Sequence, residues 1–157
     1  MQEYLVTIFQ KVNGINWVTN YLKKIKFYKN KISMLKSLFI KNIVLIDKMR
    51  LNFYNGLTIF SGETGAGKSI ILTSLGLASG MRADFSLIRN NYSEGMVVAE
   101  FDIEKNQQVK EMLLEKGLES NSTVILRRIL NRDGISKAFV NDSPVTAGFL
   151  QEIGSSL

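Results

Sequence analysis

Apolar and polar positions divide this chain into segments of distinct period. Val18, Tyr21, Leu22, Ile25, Tyr28 and Ile32 recur at three- and four-residue steps, with Lys23, Lys24, Lys26 and Lys31 largely opposite them. That spacing predicts a basic amphipathic helix. From Leu35 the rhythm changes. Leu35–Ile40 and Met49–Phe53 read as strands, and Asn55-Gly56 is a hairpin signal leading into a third strand, Leu57–Phe60. Ser69–Leu77 reads as a helix with Ile70, Ile71, Leu75 and Leu77 among its apolar positions, ended near Gly80. A strand over Met96–Ile103 and a short helix over Glu104–Lys116 follow, the latter turning Val109, Met112 and Leu113 inward before Gly117. Thr123–Leu130 and Ile135–Val140 flank Asn131-Arg132-Asp133-Gly134 as a hairpin, and Thr146–Leu157 closes as a helix. Alternation puts Arg127 and Arg128 on opposite faces of their strand.

The break between the third strand and the helix is where chemistry enters. Gly62, Glu63, Thr64, Gly65, Ala66, Gly67, Lys68 and Ser69 spell G-E-T-G-A-G-K-S, matching the phosphate-binding P-loop G-x-x-x-x-G-K-[ST]. The glycines let successive N–H groups turn inward around phosphate oxygens, and the helix that follows aims the positive end of its dipole at the same anion. Lys68 supplies a cation for the β- and γ-phosphates, and the Ser69 hydroxyl is placed to ligate Mg²⁺. The strand before and helix after give the motif its expected context. A nucleoside triphosphate is therefore the expected ligand.

Other candidates carry less. Ile43–Asp47 matches the apolar-run-plus-aspartate pattern of a Walker B strand, yet it precedes the P-loop and reads equally as a buried turn into the second strand. Arg82 and Arg89, in a polar connection, reach the nucleotide, reach a neighbouring subunit, or are simply solvated. Cysteine and histidine are both absent, which excludes disulfides, Cys-His and Ser-His triads and thiolate or imidazole metal sites. No apolar run approaches the roughly 20 residues of a membrane span.

The 157 residues amount to about one domain. The net charge of +6 is unevenly placed: residues 1–46 carry eight lysines against Glu3 alone, whereas residues 47–157 carry 12 basic and 13 acidic side chains. Bulk charge therefore gives no ground for DNA binding by the nucleotide-binding part. Residues 1–33 form a separate basic leader with three readings: a helix packed on the domain, an interfacial contact with membrane or nucleic acid, or sequence upstream of a true start at Met34.

Residues 34–157 resemble the amino-terminal part of the RecN family, bacterial double-strand-break repair ATPases related to SMC proteins and built on an ABC-type head. The resemblance runs through M-L-K-S-L-F-I-K-N-I-V-L-I-D, L-T-I-F-S-G-E-T-G-A-G-K-S-I-I, the segment around Arg82 and Arg89, and L-R-R-I-L-N-R-D-G-I-S-K-A-F-V-N-D. It implies an α/β fold in which a P-loop strand and helix are surrounded by an antiparallel β-subdomain, an incomplete amino-terminal lobe of a head. It also implies Mg-ATP binding at Gly62–Ser69, with Ser69 on the metal, a homodimer through the heads of the complete protein, and action on DNA. The cytoplasm, with nucleoid association during repair, is the compartment it implies. The family's Q-loop, coiled coil, signature motif, Walker B aspartate, catalytic glutamate and switch histidine have no counterpart here, so the chain reads as a first lobe and, alone, as inactive. The alternatives are another P-loop NTPase (an ABC-transporter subunit or a small kinase) or a non-catalytic remnant.

Overall fold

The computed structural model describes residues 33–55, 58–59 and 68–157. Six strands, β1 (Met34–Ile43), β2 (Ile46–Asn52), β3 (Glu94–Asp102), β4 (Thr123–Asn131), β5 (Ser136–Val140) and β6 (Ser143–Val145), form one sheet in the order β2-β1-β3-β4-β5-β6. Every pairing is antiparallel. Among the described residues three α-helices accompany it: α1 (Lys68–Ala78), α2 (Gln107–Glu115) and α3 (Ala147–Ser156). Their packing follows from the alternation of the strands. Leu38 and Ile40 of β1, Val97 and Ala99 of β3, Leu126 and Leu130 of β4 and Val140 of β5 are buried on one face. There α1 packs on β1, β3 and β4, α3 packs on β5, and α2 packs on α3.

Local chemistry fixes the ends of the elements. Asn106 caps α2 by accepting from Val109 N–H at 3.1 Å, and its amide also donates to Ser33 Oγ and to the Ser156 carbonyl. One buried asparagine thereby ties three segments together. Asp102 accepts from Glu104 N–H, so α2 begins at Gln107 and not at the expected Glu104. Thr146 caps α3, its hydroxyl oxygen accepting from Phe149 N–H. The strand β6 had no counterpart in the sequence reading. It exists because Asn141 and Asp142 both take positive φ (48° and 64°), turning β5 back on three residues.

The expected strand at Leu57–Phe60 is not found where it can be seen. Thr58 and Ile59 lie outside any strand, and Ile59 is 75% exposed. The positions flanking them, and Gly56 of the expected hairpin, lie outside the described residues. A strand is held by its neighbours, and β1 is already paired on both sides, by β2 and β3.

Candidate functional site

The helix α1 opens at Lys68 and presents its amino-terminal end to whatever the loop holds, with no acidic residue in its first turn. Unpaired N–H groups at such an end attract anions, and an acid there would compete with a phosphate. Ser69, next in line, is exposed. Gly62–Gly67 lie outside the described residues, as does the Lys68 side chain. Among the described residues no group of three acidic side chains could hold a metal ion.

The other end of α1 is locked. Gly80 takes φ 92°, its N–H bonding the Leu77 carbonyl, while Met81 N–H returns to the Gly76 carbonyl. This double closure terminates the helix at its expected glycine. A Cβ on Gly80 would come within 2.5 Å of the Gln151 backbone, and one on Gly154 would strike the Ser79 carbonyl. Two glycines thus allow α1 and α3 to touch backbone to backbone.

Beyond α1, Arg82 is exposed, and Asp84 caps a single turn of 3₁₀-helix, Phe85–Leu87. The Ser86 hydroxyl and Ser86 N–H both donate to the Asp84 carboxylate, holding its pKa below the ordinary aspartate value. Arg89 pairs with Asp47 at 3.5 Å and lies over the Tyr92 ring, whose hydroxyl donates to the same carboxylate at 3.0 Å. Asp47 is thus occupied by Arg89 and Tyr92 at the start of β2. Val44 and Leu45 form the turn that precedes it, so the Ile43–Asp47 segment is a turn into the second strand. Sequence reasoning missed Arg132. Its guanidinium donates to the carbonyls of Tyr92 (2.6 Å), Arg89 (3.1 Å) and Ile88 (3.4 Å), clamping this connection against the end of β4. Only the turn context of Arg132 was visible in sequence, and that gave no hint of a clamp.

The paired arginines do face opposite ways. Arg127 lies on the outer face of the sheet, stacked 4.2 Å from the Phe139 ring centre and paired with Asp142 at 3.0 Å. Arg128 points inward and is 3% exposed. Its Nη2 donates to Ser136 Oγ at 2.9 Å, while Nε and Nη1 have no partner among the described residues. Burial pulls its pKa below the usual arginine value.

Residues 37–148 match the family model described as AAA domain. The DNA repair protein RecN of Xylella fastidiosa (strain Temecula1) is 40% identical over 124 residues, covering 79% of this chain and 22% of that protein. The chain thus spans under a quarter of the curated relatives it matches. Solved structures agree on the fold. The Smc head domain of Pyrococcus furiosus, bound to the C-terminal domain of ScpA, superposes with a TM-score of 0.66 at 20% identity, over 80% of this chain and 33% of that one. The recombination mediator RecF with ATP gives 0.57 at 18% identity, over 73% and 28%. With most of its length matched by that model, and a six-stranded antiparallel sheet and helices arranged as in SMC and RecF heads, the chain belongs to the AAA domain family, as a P-loop ATPase domain of RecN-like sequence.

Proposed function

We propose that residues 34–157 are the ATP-binding first lobe of a RecN-like DNA repair ATPase head, and that residues 1–33 are a leader outside it. The observation that carries this is the G-E-T-G-A-G-K-S motif running directly into the amino-terminal end of α1 within an SMC- and RecF-like fold. In this reading the backbone of Gly62, Glu63, Thr64, Gly65, Ala66 and Gly67 cradles the phosphates. Lys68 balances the β- and γ-phosphate charge, and Ser69 ligates Mg²⁺. The bound metal would neutralise charge between the β- and γ-oxygens. DNA and a second head are partners of the complete protein, acting in the cytoplasm at the nucleoid. The start of β1 at Met34 and of the family match at residue 37 support the proposed boundary.

The experiment is thermal stabilisation by Mg-ATP, which raises the melting temperature of any folded state that binds it. Lys68→Ala should weaken ATP binding by about 2–4 kcal/mol, roughly thirty- to almost a thousandfold in Kd, through loss of a charge-assisted contact. Lys48→Ala, on β2, should leave binding within twofold. Equal losses from the two variants would place the site elsewhere. No stabilisation of the parent chain would favour the non-catalytic remnant.

A further inference from the structure

The lobe is nearly neutral, yet its charges are sorted by face. None of the described helices covers the outer face of the sheet, and strand alternation sets Lys41, Lys48, Arg50, Arg127 and Lys137 on it. The register aligns them in two adjoining rows. In one, Arg50 lies opposite Phe39, and Val98 links Phe39 to Arg127, which lies opposite Phe139. In the next, Lys48 lies opposite Lys41, and Met96 and Ile129 lead on to Lys137. Neither row contains an acid. Asp142 reaches in from the β5–β6 turn to Arg127, and Glu94 and Glu100 stand in the flanking rows.

One feature of this belt is unfavourable to the fold alone. Lys41 and Lys48 are like charges placed directly across an antiparallel pair, an arrangement that destabilises a sheet. The guanidinium groups are not free to swing away either. Arg50 lies 5.6 Å from the Phe39 ring centre and Arg127 lies 4.2 Å from that of Phe139, so each guanidinium is held over a ring. An anion between the lysines would offset the repulsion, and a base could stack on either guanidinium.

We propose that this outer face is a platform for a single strand of nucleic acid, with phosphates on Lys41, Lys48 and Lys137 and bases over the Arg50–Phe39 and Arg127–Phe139 pairs. The inference rests on the nucleic-acid side of the reading above and gives it a location. Four strand spacings, from β2 to β5, span about 19 Å, enough for roughly three nucleotides. An open sheet with stacking groups suits unstacked bases, whereas a duplex would offer it only phosphates.

The test is fluorescence anisotropy of a labelled oligo-dT with the full chain over a salt series. Lys41→Glu combined with Lys137→Glu should weaken binding at least tenfold. The slope of log affinity against log salt should fall by about 1.4, that is, by two phosphate contacts on a single strand. Lys41→Glu also removes the like-charge pair, so this variant keeps its fold. Lys105→Glu with Lys116→Glu changes net charge equally, away from the sheet face, and should cost less than twofold. All variants keep the leader lysines, whose contribution cancels. Equal losses from the two pairs would overturn the proposal, as would a duplex binding as tightly as oligo-dT, or polyglutamate displacing the strand at equal charge concentration. Mg-ATP stabilisation, read on the same proteins, should be unchanged across them. Its absence from the parent would refute the nucleotide reading and leave this one standing.

Discussion

Replacing Arg128 by methionine is expected to make the protein more stable, although the replacement deletes a hydrogen bond. The guanidinium is 3% exposed and, among the described residues, keeps one partner, Ser136 Oγ, while two of its nitrogens have none. Losing the bond to Ser136 costs about 1.5–3 kcal/mol, as for a charged donor. Against this, each unpaired buried donor carries a desolvation penalty of about 1–3 kcal/mol, and the charge adds more. Methionine has a similar length and fills the same space with about 1.5–3 kcal/mol of apolar burial. The balance favours the variant by about 1–4 kcal/mol, a rise of several degrees in melting temperature for a domain of this size. Calorimetry and urea unfolding would read it directly, with ΔG compared at constant m-value. The pH dependence carries a sign of its own. Because the folded pKa lies below the unfolded one, the unfolded chain binds more protons in the window between them, so stability of the parent rises with pH there. Arg128→Met should abolish that rise. A variant less stable than the parent by more than about 1 kcal/mol would refute the reasoning, since it would mean the charge is compensated.

Two further outcomes follow from the site and its support. The purified chain should bind Mg-ATP without turning it over, since phosphoryl transfer to water needs a water-orienting group and a partner's charge in addition to a phosphate cradle. Steady hydrolysis that disappears in Lys68→Ala would contradict this. Gly154→Ala should destabilise the fold by about 1–3 kcal/mol in a thermal melt, because the new Cβ meets the Ser79 backbone and not a flexible side chain. An unchanged melting temperature would mean that α1 and α3 separate freely.

Much of this architecture was legible because β-alternation is strict where one face is buried. The strands at Leu35–Ile40, Met96–Ile103 and Thr123–Leu130, and the opposed arginines, all follow from a period of two. The end of α1 was legible because Gly80 must adopt positive φ. What stayed hidden depends on distant partners. Leu57–Phe60 has strong β-formers, but propensity does not supply a neighbouring strand, and Thr58 and Ile59 are not in one. The Arg132 clamp joins carbonyls about 40 residues away, and Asn106 bridges to Ser33 and Ser156. The bulk charge was read correctly as near neutral, but a sum over residues cannot show that cations gather in two rows.

The sheet's connectivity has a consequence for how the molecule unfolds and refolds. The strand β1, next to the edge, pairs with β2 on one side and β3 on the other, and the chain between those two strands, Phe53 to Ser93, carries the G-E-T-G-A-G-K-S motif and α1. That excursion leaves from one flank of β1 and returns to the other, so both of its ends are anchored on a single strand. Opening it breaks the bridge between Ile43 and Ile88 and the Arg132 clamp but leaves the ladders between the six strands intact, and closing it adds a loop-entropy term that grows only slowly with its length. The strand ladders and this excursion can thereby open at different free energies, although Leu77 and Ala78 of α1 share the core of the sheet. In hydrogen exchange, ATP should slow the amides of α1 much more than those of β3 and β4, leaving the sheet as a fixed frame around a ligand-dependent insert.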